Sequence, residues 1–151
     1  MEQIAYITFG ALLAISGTLL SEKLKEIVLR RKLLELFAFE IAVNLRLVKQ
    51  DSYDTHVFLS EIYSNYVKNL HLISIKLREA LLLHYKWVQE YDELKAYQRS
   101  GSTINRKDFE NAVKNIYDVG QMAVDQFPEF QKKWVKLSLE KMDDLEKETT
   151  R

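Results

Sequence analysis

The chain has 151 residues, of which 22 are Lys or Arg and 22 are Asp or Glu, so its formal net charge is zero. This balance argues against a protein that coats nucleic acid or binds a strongly acidic substrate. The absence of cysteine excludes disulfides, thiolate metal sites and thiol nucleophiles. Only four glycines and one proline interrupt a sequence rich in helix-forming residues. We therefore predict an all-α fold.

The first feature along the chain is a run of eighteen residues without a charge, from Gln3 to Leu20. As a helix this run is about 27 Å long, close to the roughly 30 Å hydrocarbon thickness of a bilayer. Basic residues follow it directly: Lys23, Lys25, Arg30, Arg31 and Lys32. Because basic flanks stay in the cytoplasm, we predict a single transmembrane helix over 3–20 in the cell inner membrane. Its N-terminus is expected outside and its C-terminal part inside the cell.

Two other interpretations of this run remain open. A cleaved signal peptide is disfavoured, because the residues before the apolar run carry no positive charge. A buried helix of a fully soluble helical bundle is the stronger alternative, since the run is at the short end of the spanning range. Small residues on one stripe, Gly10, Ala14 and Gly17, predict close packing between two such helices.

A juxtamembrane, central helix is predicted over 21–50, which contains neither Gly nor Pro. Apolar residues recur there with the 3-4 alternation of a coiled coil and predict an oligomer seam. The seam residues are Leu24, Ile27, Leu34, Ala38, Ile41, Leu45 and Val48. Glu40 and Asn44, one turn apart, are predicted to face water on the polar side of this helix. The alternative is that they set the register between subunits by hydrogen bonds.

Residues 51–151 are predicted to form a cytoplasmic helical bundle, giving about four long helices in all. The cluster Asp51–Asp54 breaks the first helix, and the second is expected to continue to about Gln98, although the pattern allows a kink near Asn69 to His71. Arg99–Asn105 is the most loop-like stretch, with Asn105 as the expected cap of the third helix. Pro128 is expected in the first turn of the fourth.

The sequence contains no recognisable catalytic or metal-binding pattern. His56, His71 and His84 are 15 and 13 residues apart, so no two of them share a helical turn, and we predict packed or surface histidines. Nucleophile-elbow, P-loop and dinucleotide motifs are absent. We predict that the protein is not an enzyme and holds neither a cofactor nor a metal.

One loop is a candidate anion site. Cations and hydroxyl groups surround a predicted helix N-terminus there, which favours a phosphate or carboxylate. These residues are Arg99, Ser102, Thr103, Arg106 and Lys107. The same composition is also typical of an ordinary solvated loop with a helix cap.

These features predict a membrane-anchored helical interaction or scaffold protein that self-assembles and docks a partner at the cytoplasmic membrane face. The expected partners are the lipid bilayer, further copies of the chain and another protein, and not bulk nucleic acid. One alternative is a membrane-perturbing, pore-forming effector whose bundle senses an anion such as a nucleotide. The other alternative is a fully soluble helical bundle.

Overall fold

The computed structural model describes the backbone of residues 2–49 and 56–149 and the side chains of residues 13–49 and 56–140. Within these residues the protein is all-helical, with five α-helices and no strand. The elements are α1 (Glu2–Val48), α2 (Glu61–Tyr66), a 3₁₀ helix (Val67–Leu72), α3 (Ile75–Arg99), α4 (Arg106–Gln126) and α5 (Glu129–Thr149). The predicted all-α class and the helical bundle are confirmed.

The chain divides into two units, residues 1–33 and residues 34–151. The division falls within α1, and therefore inside the helix predicted over 21–50. The first unit consists of the N-terminal part of α1, and the second contains the rest of α1 and the remaining helices. Each unit is described separately below.

No helix in the described part of the chain has a stretch that is both long and apolar enough to cross a membrane. The transmembrane helix predicted over 3–20 therefore finds no support there. The side chains of residues 3–12, including the predicted packing residue Gly10, lie outside the described residues. Of the other two packing residues, Ala14 and Gly17 are exposed on α1, and a Cβ atom added to Gly17 would meet nothing within 4 Å.

The core of the second unit is built on the α3–α4 pair. Each helix buries one stripe of apolar side chains at helical spacing, which removes that surface from water and stabilises the pair. The buried residues of α3 include Leu77, Leu81, Val88 and Tyr91, and those of α4 include Phe109, Val113, Ile116 and Ala123. Residues of α1 beyond 34 complete this core, as the contacts of Phe37, Glu40 and Asn44 with α3 show.

The second long helix predicted to reach Gln98 is divided in the structure. Residues 56–60 have no regular structure, α2 and the 3₁₀ helix follow, and α3 begins only at Ile75. The separation occurs at Ser74, whose backbone is extended and whose hydroxyl accepts a hydrogen bond from the Leu77 amide at 3.4 Å. A new helix start there ends the preceding element, a few residues after the kink that the sequence pattern allowed near Asn69 to His71. The first half of the predicted helix is therefore divided into shorter elements.

The loop between α3 and α4 agrees with its prediction. α3 ends at Arg99 and α4 begins at Arg106. The Asn105 side chain accepts a hydrogen bond from the Lys107 amide at 3.0 Å, as expected of an N-cap. Gly101 has φ +87°, a left-handed backbone conformation that favours glycine. Local side-chain chemistry is therefore sufficient to define this loop.

Candidate functional site

Four buried polar side chains lie together inside the second unit and form what we call the polar cluster: Glu40, Asn44, His84 and Tyr85. Glu40 and Asn44 come from α1, and His84 and Tyr85 come from α3. Glu40 is 1% exposed and Asn44 is 0% exposed. The prediction that these two residues face water was therefore wrong. The alternative was that they set the register between subunits by hydrogen bonds. Their hydrogen bonds instead join α1 to other parts of the same chain.

The Glu40 carboxylate binds the start of α2. Its Oε1 accepts a hydrogen bond from the Ile62 amide at 3.0 Å, and its Oε2 accepts one from the Tyr63 amide at 3.3 Å and one from the Tyr85 hydroxyl. These amides belong to the first turn of α2, where no helical carbonyl is available to them. A buried negative charge is thus compensated by the donors of a helix N-terminus and a phenol.

Asn44 binds the backbone of one residue of the irregular segment through both groups of its amide. The Leu59 amide donates to Asn44 Oδ1 at 2.7 Å, and Asn44 Nδ2 donates to the Leu59 carbonyl at 2.9 Å. The second hydrogen of Nδ2 is directed at His84 Nε2, 3.2 Å away. Asn44 therefore uses both donors and its acceptor within the fold.

The partners of His84 define its tautomer. Its Nδ1 lies 3.2 Å from the Ile116 carbonyl, which can only accept, so Nδ1 carries the proton. Nε2 then has the lone pair that accepts from Asn44 Nδ2. Burial lowers the pKa of His84 to about 4, and the hydrogen bond to Ile116 opposes this shift only partly. The ring is neutral at pH 7 and acts as a fixed donor and acceptor.

Tyr85 lies at the other side of the cluster. Burial raises its pKa well above the ordinary value, and the nearby Glu40 charge and hydrogen bond add to the shift. Its ring stacks on Tyr63, with centroids 4.3 Å apart and planes inclined by 18°. Tyr85 is therefore held as a protonated donor to Glu40, and the stacked rings add a direct contact between α3 and α2.

The segment 56–63 is bound mainly through its backbone. Besides the contacts of Leu59, Ile62 and Tyr63, the His56 carbonyl accepts from Lys95 Nζ at 2.6 Å and from the Tyr91 hydroxyl at 3.3 Å. Two rings of the segment are buried: Phe58 meets Tyr91 edge to face at 4.8 Å, and His56 meets Phe58 edge to face at 5.6 Å. Hydrogen bonds to the main chain, with these two rings, hold this segment.

The polar cluster is suited to positioning and not to chemistry on a bound molecule. All four side chains are buried, and their described hydrogen bonds go to groups of the chain itself. His84 and Tyr85 are held far from the protonation equilibria that general acid–base catalysis at pH 7 uses. Among the described residues, no group of three or more His, Cys, Asp or Glu is placed to hold a metal ion.

The histidines lie where a structural role predicts. His84 and His56 are buried in the second unit, and His71 is exposed at the end of the 3₁₀ helix. The spacing argument did not identify His84 as a member of the polar cluster, because its partners lie 40 and 32 residues away in sequence.

The residues of the candidate anion site are brought together only as an exposed loop. Arg99, Ser102, Thr103, Arg106 and Lys107 are all exposed. Arg106 Nε binds Glu110 at 3.0 Å, and the Lys107 amide binds the Asn105 cap. Burial raises the pKa of Asp92, and the positive charges of Lys95 and Arg99 oppose that shift, which shows that Arg99 lies near an acidic residue. Acidic or capping groups of the chain thus accompany three of these five residues.

The predicted oligomer seam is divided between covered and uncovered residues. Four of its members are no more than 8% exposed in the core of the second unit: Leu34, Ala38, Ile41 and Leu45. Val48 is half-buried beside a groove of about 440 Å³. Leu24 and Ile27 are exposed. The protein's own helices therefore already cover the buried part of the seam.

A close approach between α4 and the polar cluster requires glycine. A Cβ atom at Gly120 would lie 2.8 Å from Leu45 Cδ2 and 3.3 Å from Cε1 and Nδ1 of His84. The glycine lets α4 approach the His84 imidazole, whose Nδ1 donates to the Ile116 carbonyl of α4.

Comparison with protein-family models, with curated proteins and with solved structures finds no match to this chain.

Proposed function

We propose that this protein is a membrane-anchored helical interaction protein that assembles with copies of itself and docks a protein partner at the cytoplasmic face of the cell inner membrane. The observation that carries the proposal is the contrast between the buried polar groups and the exposed apolar side chains of the protein. The buried polar groups serve the fold, whereas large apolar side chains are exposed on α1 before residue 29 and on α5. Grouped exposed apolar surface marks interaction sites.

The anchor is supported by the sequence of the first twenty residues. Gln3 to Leu20 carries no charge, and its backbone is helical throughout. In the described part, Leu13, Ile15, Leu19 and Leu20 are all more than half exposed, although they point to several sides of the helix. A helix that is apolar on all sides needs an apolar surrounding, which lipid supplies. The basic residues after Leu20 support the N-out, C-in orientation.

The docking surface is supported by α5. Phe130, Trp134 and Leu137 recur one turn apart and are 71%, 41% and 45% exposed. The adjacent face of the helix buries Gln131 and Val135 against the rest of the unit. Two exposed aromatic side chains on one helix face are typical of protein–protein interfaces, and tryptophan is enriched among their hot spots. We assign this face to the protein partner.

The anchor is tested by alkaline carbonate extraction of membranes from cells that express the full chain. The proposal predicts that the protein stays in the membrane pellet and that a variant lacking residues 1–21 is released. A double variant, Leu13→Lys with Ile15→Lys, adds two charges at a cost of roughly 3 kcal/mol each to insertion, so it is also released. Glu22→Lys with Glu26→Lys is the matched control and stays in the pellet. Release of the unmodified protein would contradict the anchor.

The docking face is tested by photo-crosslinking from α5 in intact membranes. A photoreactive residue at Trp134 is expected to link one discrete protein, whereas the same residue at Lys76, on α3, is not. Phe130→Ser, placed beside the crosslinker, weakens the product without changing membrane retention. Absence of a discrete product from the α5 position would remove the docking role.

A further inference from the structure

Segment 56–66, which consists of the irregular residues 56–60 and α2, depends on side chains of other helices for its place in the fold. α2 has six residues and buries none of its side chains. Ser60 stands at its N-cap position without a side-chain cap hydrogen bond, and Glu40 of α1 supplies the acceptors instead. Because a helix this short is not stable alone in water, the segment stays ordered only while other helices bind it.

One line of hydrogen bonds runs from α4 through His84 and Asn44 to this segment. At one end, His84 Nδ1 donates to the Ile116 carbonyl at 3.2 Å. At the other end, the Leu59 backbone fixes the Asn44 amide, because its N–H must donate to Oδ1 and its carbonyl must accept from Nδ2. Asn44 Nδ2 and His84 Nε2 meet between them, 3.2 Å apart. Main-chain groups therefore fix every donor and acceptor in the line.

Only the neutral form of His84 fits this line. A proton on Nε2 would make it a donor that faces the Nδ2 donor of Asn44. Turning the Asn44 amide by half a turn would satisfy His84, but it would place Nδ2 against the Leu59 N–H and Oδ1 against the Leu59 carbonyl. Both bonds between Asn44 and Leu59 would then be lost. The bound segment and the protonated imidazole therefore exclude each other.

The surroundings of His84 keep water from solvating a charged ring in place. The residue is 0% exposed, and α4 passes so close that a Cβ atom at Gly120 would lie 3.3 Å from Cε1 and Nδ1 of the ring. This burial lowers the pKa of His84 to about 4, whereas a solvated imidazole has a pKa near 6.5. The proton therefore binds while the segment is away from the ring, and it prevents the segment from returning.

Among the described residues, the other titratable side chains of this cluster are Glu40 on α1 and Tyr85 on α3. The Glu40 carboxylate binds the start of α2 and the Tyr85 hydroxyl. The Tyr85 ring meets the His84 ring edge to face at 5.2 Å. The contact from α4 is the Ile116 carbonyl, which does not titrate. Of these titratable groups, His84 is the one that belongs to the hydrogen-bond line.

We propose that His84 controls the release of segment 56–66: a proton taken up from solvent at Nε2 breaks the pairing of Asn44 with Leu59, and the segment leaves α1 and α3 while α3 and α4 stay packed. The released form binds this proton and the bound form does not. Its population relative to the bound form therefore rises by up to about tenfold for each pH unit below 6.5. This release involves neither the anchor nor the docking face of the proposed function.

Release of the segment is a smaller change than unfolding of the second unit. The segment buries one large apolar side chain, Phe58, whereas α3 and α4 each bury a whole stripe. Beyond the segment, Leu70 and Ile73 are buried and keep its C-terminal side attached. A part of a fold with few buried apolar contacts opens at a lower cost in free energy than the core does.

Hydrogen exchange, followed by mass spectrometry on the full-length protein in mild detergent, tests the release. The reporting amides are those of Leu59, Ile62 and Tyr63, and their protection is corrected for the intrinsic pH dependence of exchange. We expect these amides to be less protected than those of α4 at every pH, and their protection to fall about 20-fold between pH 7 and 5. Protection equal to that of α4, or protection that does not change with pH, would overturn the proposal.

Substitution of each histidine identifies the group that takes up the proton. His84→Gln removes the titrating ring, so the pH dependence is expected to disappear. Two controls are expected to retain it: His71→Gln, which replaces an exposed residue, and His56→Gln, which replaces the buried histidine of the segment itself. A pH dependence that persists in His84→Gln, or that disappears with His56→Gln, would contradict the assignment to His84.

Asn44→Asp tests the transmission to the segment and keeps the test decisive if His84→Gln does not fold. A carboxylate at this position accepts from a protonated Nε2, so a charged His84 no longer opposes the bound segment. We expect the fall in protection between pH 7 and 5 to become several-fold smaller or to reverse. An Asn44→Asp variant with the same pH dependence as the unmodified protein would overturn the role of Asn44.

Discussion

Residues 13–28 and residues 34–48 of α1 carry similar apolar side chains at the same 3-4 spacing, yet their surroundings differ. In the later stretch, Leu34, Ala38, Ile41 and Leu45 are buried by the helices of the second unit. In the earlier stretch, Leu20, Leu24 and Ile27 are exposed. The polar residues differ as well, because Glu40 and Asn44 are buried with partners, whereas Lys23 and Glu26 pair on the surface.

This comparison shows that helical periodicity identifies an apolar face without identifying what covers it. The later stretch is a core element, whose substitution changes the stability of the protomer. The earlier stretch is exposed, so under the proposed function we expect its substitution to change association and to leave the protomer folded. The predictions below separate these two roles, beginning with the largest effect.

Glu40→Ala is expected to lower the free energy of unfolding by about 3–5 kcal/mol. The substitution leaves the amides of Ile62 and Tyr63 and the buried Tyr85 hydroxyl without their acceptor. Urea unfolding of the full chain in mild detergent measures the change. Glu22→Ala, in the exposed stretch of the same helix, is the control and is expected to change stability by less than about 0.5 kcal/mol. Equal effects of the two substitutions would contradict the comparison.

Stability should depend on pH through His84. Its pKa is about 4 in the folded protein and about 6.5 in the unfolded chain, so between these values only the unfolded chain binds the proton. The free energy of unfolding therefore falls by about 3 kcal/mol as pH decreases from 6.5 to 4. Above pH 6.5 His84 is neutral in both the folded and the unfolded chain, so this loss of stability is absent. Unfolding curves at several pH values measure this slope. A His84→Gln variant that retains the full slope would contradict the assignment.

Gly120→Ala is expected to destabilise the protein by about 1–3 kcal/mol, because its Cβ would press on Leu45 and His84. Gly17→Ala is the matched control in the exposed stretch. It adds a methyl group in open space, so the protomer is unchanged or slightly more stable. Thermal unfolding of both variants provides the measurement, and a larger loss from Gly17→Ala would reverse the comparison.

Arg106→Ala is expected to change the free energy of unfolding by less than about 0.5 kcal/mol, because its ion pair with Glu110 is exposed. Asn105→Ala, one residue earlier, removes the cap of α4 and is expected to cost about 1 kcal/mol. Chemical unfolding of the two variants side by side measures the difference. A larger effect from Arg106 would show that the loop depends on its charge more than on its cap.

The sequence was sufficient to predict the structure where that structure depends on contacts between residues close together in the chain. The loop Arg99–Asn105 and the cap at Asn105 follow from side chains that bind the backbone two or three residues away. The polar cluster was not predictable in this way. Asn44 meets Leu59 across 15 residues and His84 across 40, and the groups that Glu40 binds on α2 are backbone amides with no side-chain signature.

The same limit explains the late start of the predicted second helix. Helical periodicity continues through residues 59–66, but Asn44 and Glu40 bind the backbone of Leu59, Ile62 and Tyr63 and hold the preceding residues in an irregular form. Tertiary hydrogen bonds thus override a local helical preference there. A nearby Arg46 and Lys49 made the polar side of α1 look solvated, although the segment after residue 55 covers Glu40 and Asn44.

The central claim is that the chain itself covers α1 from Leu34 onward, whereas α1 before residue 29 is exposed and becomes covered through the proposed self-assembly. Thiol labelling of Ala38→Cys and Ile27→Cys in the full-length protein, at decreasing ratios of protein to detergent, tests it most directly. We predict that Ala38→Cys is protected at every ratio, whereas Ile27→Cys is protected in concentrated samples and becomes reactive on dilution. An Ile27→Cys thiol that reacts equally fast at every ratio would contradict the claim.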